Sequence, residues 1–323
     1  MSRAAPAGRI SSLRRRSPDE VLAASPIGVV PILWNNADLP DLAPVVSANH
    51  LLDEVARLGF DGMQLGVGFR ADEVLRDTLA ATGLRLAEAY VELPCRADGP
   101  THGALDRGRR RLGELHAAGG EVLVVALDRA PKRDEWVGRA SDAPRLTDAG
   151  WRALSATLEE LGRESLELGH PLAFHNHAGS YVETDGEIDR LVESTEPGLV
   201  KLCLDVGHAL VGAADPLSLI RRHGRRIVHL HLKDVAPEPL RALRERRLVG
   251  FEAALRARIF APLGSGILDL PAVLAALAAQ RYEGWLMVEQ DTSWEPASEA
   301  AAIGRRVLDA VLRWAIPQPG AVA

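Results

Sequence analysis

Val200-Lys201-Leu202-Cys203-Leu204-Asp205-Val206 and, after an interval, Ile227-Val228-His229-Leu230-His231-Leu232-Lys233 are two short runs rich in Val, Ile and Leu. Runs of this length and composition are what strands buried on both faces require. Six more lie outward from them: Ile27 to Trp34, Gly62 to Gly66, Arg85 to Leu93, Glu121 to Asp128, Leu172 to His177 and Trp285 to Gln290. The segments between carry apolar residues three and four apart, as in Leu51, Leu52, Val55 and Leu58, or Leu154, Leu158 and Leu161, or Val273, Leu274 and Leu277. That is the stripe of an amphipathic helix. Eight alternations of strand and helix predict an α/β protein, a closed (β/α)8 TIM barrel, rather than an open sheet. No Gly-x-Gly-x-x-Gly follows the first run and no Walker loop is found, so a doubly wound nucleotide-binding fold lacks its phosphate cradle. A last helix through Ile303, Val307, Leu308, Val311 and Leu312 ends before Pro317.

The reading places a catalytic barrel at 26–316 between a disordered N-terminal tail, 1–25, and a flexible C-terminal tail, 317–323. One connection is long: 235–266, between the seventh and eighth runs, holds its own helical stretch around Arg241 to Arg258. A long insertion in a compact domain is expected to be a lid or an oligomer contact. Its arginines, Arg241, Arg244, Arg246 and Arg247, are equally readable as a solvated helical face.

Length and composition fit this architecture. The chain has 323 residues, 47% hydrophobic and 25% charged, enough to bury one large core and far from the composition of a disordered chain. Its 38 basic residues against 44 acidic ones give a net charge of −6, which argues against a nucleic-acid partner. Two well-separated cysteines, Cys95 and Cys203, suit a reducing cytoplasm rather than a disulfide framework. No run is apolar enough to span a membrane. Arg14-Arg15-Arg16 invites an export reading, but Ser17-Pro18-Asp19-Glu20 stands where an apolar core is needed.

In a barrel of this kind reactive side chains gather at the carboxyl ends of the strands. Five of the ten histidines, His175, His177, His208, His229 and His231, fall at the ends of three consecutive runs, with Asp205, Lys233, Asp234 and, on the eighth, Glu289. Asp205 either faces the mouth or caps the following helix. His229, His231 and Lys233 share one strand face by the period of two, and three inward polar groups need a stronger reason than a lone core histidine does. Glu289 ends an apolar run where a carboxylate is costly without a cation. Imidazoles with carboxylates suit Mn2+, Co2+ or Zn2+ more than Mg2+ or Ca2+.

These motifs, in this order, resemble the xylose isomerase-like superfamily of divalent-metal sugar isomerases and epimerases, and within it the inosose dehydratases. The resemblance runs from about Ile27 to Leu312. It is carried by Pro31-Ile32-Leu33-Trp34-Asn35-Asn36, by His175-Asn176-His177-Ala178-Gly179-Ser180-Tyr181-Val182-Glu183-Thr184 with Glu187, and by Leu204-Asp205-Val206-Gly207-His208 and His229-Leu230-His231-Leu232-Lys233-Asp234. It implies a metal, Mn2+ or Co2+ foremost with Zn2+ or Mg2+ as further options, held by Asp205, His231 and Glu289. The fourth ligand is His175, which stands where the isomerases have glutamate, or else Glu183 or water. His177, His208 and Lys233 are implied as the acid–base groups, in an order that spacing leaves open, and a lysine beside a metal can have its pKa lowered. Trp34 and Asn35 are candidate contacts for a polyol or keto-sugar ring, with Trp34 equally readable as core, and Glu183 is a further candidate. The implied reaction is proton abstraction next to a ketone with loss of water. Its rivals are isomerisation or epimerisation of a ketose, β-elimination from a keto-glycoside, a zinc DNA-repair nuclease, and a non-catalytic sugar binder. The acidic balance disfavours the nuclease, and the Asp205, His231 and Glu289 cluster is superfluous in a binder.

Overall fold

A computed structural model describes residues 17–42 and 44–315. Its centre is a closed barrel of eight parallel strands: β1 Ile27–Val29, β2 Gly62–Gln64, β3 Arg85–Leu93, β4 Val122–Leu127, β5 Leu172–His175, β6 Val200–Asp205, β7 Ile227–Leu232 and β8 Trp285–Val288. Each strand pairs with its neighbours in sequence, and β1 closes the ring on β8 with Ile27 opposite Leu286 and Val29 opposite Val288. This is the TIM barrel expected from the alternating pattern.

Alternation along the strands sorts the side chains. Leu202, Leu204, Leu230, Leu232, Leu286 and Val288 point outward into the main hydrophobic core beneath the helices. The residues between them point inward: Cys203 packs with Val122, Val124 and Ala173, and Trp285 and Met287 pack with Val30 and Ala87. A leucine fully withdrawn from water contributes about 1.5–3 kcal/mol, so the outer layer strongly fixes which residues face in. Gly28 makes room inside, because a Cβ there would stand 2.5 Å from Met287 Sδ.

Three features differ from the sequence reading. The first run stops being strand at Val29, and Pro31–Leu33 forms a 3-10 turn. Proline has no N–H to give a ladder, and its fixed φ suits the first turn of a helix. Within the expected N-terminal tail, 1–25, Pro18–Leu22 is a helix with a Ser17–Glu20 capping box that buries Val21 and Leu22. Residues 1–16, 43 and 316–323 lie outside the described residues. The single helical stretch expected around Arg241 to Arg258 is two helices, Pro237–Arg244 and Phe251–Arg256, separated by the positive φ of Arg246 and Gly250.

The insertion starts and ends in a small antiparallel pair, Asp234–Val235 with Phe260–Ala261. Asp234 ties its return, accepting hydrogen bonds from the backbone of Val235, Gly264, Gly266 and Leu268. Leu240, Leu243, Phe251, Leu255 and Phe260 form a second core with Leu39, Val137, Ala178 and Val211 from other loops at the carboxyl end of the barrel. The segment therefore packs across the mouth. Arg241, Arg244, Arg246 and Arg247 are exposed, as a solvated face requires, and Arg247 pairs with Glu238 and Glu245.

Candidate active site

Four consecutive strands bring His175, Asp205, His231 and Glu289 together. One potential ligand atom from each lies within 4.8 Å of all the others, and none of these residues is more than 8% exposed. The sheet register dictates the meeting: Asp205 stands opposite His231, and Glu289 N hydrogen-bonds Leu232 O just beyond β8. His175 Nε2 is 3.4 Å from Asp205 Oδ2, and His231 Nδ1 is 2.7 Å from Glu289 Oε2 and 3.8 Å from Asp205 Oδ2.

The chemistry of this donor set fits a divalent cation. Asp205 Oδ2, His231 Nδ1 and Glu289 Oε2 are buried and make no directed hydrogen bond. A buried carboxylate oxygen without a donor is costly, and a cation among these atoms removes the cost. Asp205 settles the two readings of its position by doing both. Its Oδ1 accepts the His208 N–H and caps helix Val206–Val211, while Oδ2 faces the cluster. Although burial opposes it, Cys203, Glu88 and Glu289 raise the His231 pKa well above its usual range. Without a metal, a proton serves the same electrostatic need.

Beside the cluster stands Lys233, 1% exposed. Its Nζ lies 2.7 Å from Asp291 Oδ1, 3.0 Å from Glu289 Oε1, 3.4 Å from Asp205 Oδ2 and 3.0 Å from His208 Nε2. Burial favours the neutral amine, but Asp205, Asp291 and Glu289 outweigh it and raise the Lys233 pKa. Gly207 permits the close approach, since a Cβ there would meet the Lys233 stem at 2.7 Å. His177 is held differently. Its Nδ1 lies 2.9 Å from the Ala178 carbonyl, so that nitrogen carries the hydrogen and Nε2 is left as acceptor. Burial foremost, with His175 and Lys233, pushes the His177 pKa down to about 3, so the ring is neutral. The His177 and His208 rings lie 4.0 Å apart, and Phe251 and Phe260 of the insertion back them.

All six of these histidine, carboxylate and lysine positions except Asp205 line one cavity of about 620 Å3, as does His208. Its other wall includes Asp38, Gln64, Tyr90, Glu92 and Arg129. Three expected contacts are not brought in as ring binders. Trp34 is 4% exposed in the main core and donates to Ser298 Oγ, so it is barrel packing. Asn35 reaches the cavity wall, but its amide is spent on the backbone of Val46 and Val67. Glu183 neither binds a ring nor completes the metal cluster. It is buried against Arg133 at 2.7 Å and accepts the Gly179 N–H at 2.6 Å, fixing the loop that carries His177.

Sequence reasoning missed Glu88, Asp291, Arg133 and the two phenylalanines. Glu88, Tyr90 and Glu92 alternate with Ala87, Ala89 and Val91, the same period-two signal that marked β7. Asp291 stands two residues beyond Glu289 on the same principle. Arg133, Phe251 and Phe260 come from connecting segments with no such register, and nothing local distinguishes them.

Known proteins share this fold. The xylose isomerase-like TIM barrel family matches residues 52–311. An inosose dehydratase of Lacticaseibacillus casei is 32% identical over 299 residues, spanning 90% of this chain and 98% of its own length. One from Geobacillus kaustophilus (strain HTA426) is 35% identical over 282 residues, spanning 82% and 87%. Among solved structures, an IolI protein with a bound zinc atom superposes with a TM-score of 0.69 at 14% identity, covering 91% of this chain and all of that one, a likeness of fold. Among the described residues no helix is long and apolar enough to cross a membrane. Barrel, site and sequence together show that the chain belongs to the inosose dehydratase branch of the xylose isomerase-like TIM-barrel family and is an enzyme of the lyase class.

Proposed function

We propose that the protein is a divalent-metal-dependent dehydratase of inosose (2-keto-myo-inositol) or a similar keto-polyol. The observation that carries this reading is the juxtaposition of the four-residue cluster at His175, Asp205, His231 and Glu289, all but Asp205 lining one cavity, with two oppositely poised proton carriers in the same cavity. His177 presents an acceptor nitrogen, and Lys233 a charged donor. The names borne by the relatives support inosose as the substrate.

In this reading His177 Nε2 takes the proton from the carbon next to the ketone. Lys233 gives a proton to the hydroxyl beta to it, which leaves as water as the new double bond forms. The hydrogen bond from His177 Nδ1 to Ala178 O stabilises the imidazolium as it develops, and His208 packs between the two carriers. A divalent cation held by the four residues, Mn2+ or Co2+ by donor chemistry with Zn2+ as a further option, supplies polarisation of the ketone oxygen and stabilises the charge that collects there. Phe251 and Phe260 keep water from the imidazoles.

The test is incubation of metal-loaded protein in deuterated water with inosose and, separately, with a panel of ketoses, following mass and deuterium uptake. Loss of water from inosose with the ring retained is the expected result. Deuterium uptake into an isomeric ketose, with no loss of water from inosose, assigns the protein to isomerisation or epimerisation instead.

A further inference from the structure

Glu88 is a fully buried carboxylate reaching across the barrel interior from β3 to His231 on β7. Its two oxygens lie 3.1 and 3.0 Å from His231 Nε2. A carboxylate in such a bond accepts, so Nε2 carries the hydrogen. A neutral ring with its hydrogen on Nε2 then presents the Nδ1 lone pair, and that nitrogen faces Glu289 and Asp205. His229 Nε2 is also near Glu88, 2.7 Å from Oε2, but it lacks the direction of a hydrogen bond. The directed contact goes to the histidine of the metal cluster.

We propose that Glu88 is a positioning residue for the metal: by accepting the Nε2 proton it fixes the His231 tautomer and aims Nδ1 at the ion. The proposal rests on the metal reading given above and adds a residue to it. Carboxylate partners of this kind raise the basicity of a ligating imidazole and hold its plane, and their loss weakens metal binding about ten- to hundredfold. A different use of the same groups is a second ion among Glu88, Cys203, His229 and His231, whose potential ligand atoms also lie within 4.8 Å of one another. The ring chemistry favours the positioning role, because His231 Nε2 already gives its hydrogen to Glu88. A second ion would also strip His231 of its last ring proton, leaving an imidazolate.

The experiment is a zinc titration against a chromophoric chelator for the wild type and Glu88→Gln, with thermal unfolding of both metal-free proteins measured alongside. We expect one equivalent in each, bound about ten- to hundredfold more weakly by Glu88→Gln. In the zinc-loaded wild type, proton–nitrogen correlation spectra should show His231 protonated at Nε2, a readout that needs no variant to fold. Equal zinc affinity in the two proteins, or an Nδ1-protonated His231, overturns the proposal even if metal-free stability changes. Two equivalents in the wild type with one lost in Glu88→Gln overturns it in favour of a second ion. A wild type that binds no zinc sinks the metal reading itself, and this one with it.

Discussion

Asp205 divides its carboxylate between fold and chemistry, one oxygen capping a helix and the other facing the metal cluster. The division makes the two roles separable. Asp205→Asn keeps an oxygen for the His208 N–H but removes the charge, whereas Asp205→Ala loses the cap as well, a further cost of about 0.5–2 kcal/mol. We expect elemental analysis of protein purified without chelator to find metal in the wild type and little in either variant. Denaturant unfolding of the metal-free proteins should show the alanine variant to be the less stable of the two. Undiminished metal in Asp205→Asn refutes the ligand assignment. At this scale the sequence was readable wherever a polar residue broke an apolar strand in step with its period: His231, Lys233 and Glu289 announce themselves. Glu88 broke β3 in the same way. Trp34 misled because an aromatic just past a strand is compatible with both a binding platform and core packing, and its hydrogen bond to Ser298, 264 positions along the chain, is invisible locally.

At the scale of elements, the loop from His177 to Thr184 is held by a buried ionic staple. Arg133 donates to Glu183 and Glu187, all three at least nine-tenths buried, and Glu187 also closes a capping box with Thr184 on helix Asp185–Ser194. Removing the arginine strands two carboxylates in the interior, a loss of the class that costs about 3–5 kcal/mol. Arg133→Met should therefore be destabilised by about that amount in chemical denaturation, with activity falling as His177 loses its support. The penalty depends on pH. Burial already pushes Glu183 up to about 7 with Arg133 opposing the shift, and without Arg133 it moves higher. A carboxyl whose folded pKa is raised gives its stabilisation fully below the unfolded pKa and loses it as pH rises through the folded one. The variant's deficit should thus be larger at pH 8 than at pH 5. An equal deficit at both would mean that Glu183 and Glu187 find other partners. The staple was legible only as a run of residues shared with the dehydratases, because its cation comes from a distant loop.

Across the whole molecule, the barrel was legible because eight apolar runs separated by amphipathic segments leave few other closed solutions. The path of the 235–266 insertion over the mouth was not, since its anchors are a carboxylate bonding four backbone amides and a core drawn from several loops. The same closed ring makes metal and fold interdependent. Four strand ends converge on a cluster in which Asp205 Oδ2, His231 Nδ1 and Glu289 Oε2 make no directed hydrogen bond, so the metal-free protein carries a cost, offset only in part by Lys233, at the place where β5 to β8 meet. An ion that binds only the folded ring relieves that cost, and at a free concentration of a hundred times its dissociation constant it adds about 2.7 kcal/mol. A kcal/mol raises the midpoint of a domain somewhat smaller than this one by roughly 2–4 °C. Stripping the metal with EDTA should therefore lower the thermal midpoint of the wild type by about 5 °C, and readdition of Mn2+, Co2+ or Zn2+ should restore it. Asp205→Asn should melt at the same temperature with and without EDTA. A wild-type midpoint indifferent to chelation would show that the four strand ends meet without needing an ion, and the cluster would then have to be read as a proton-sharing network instead.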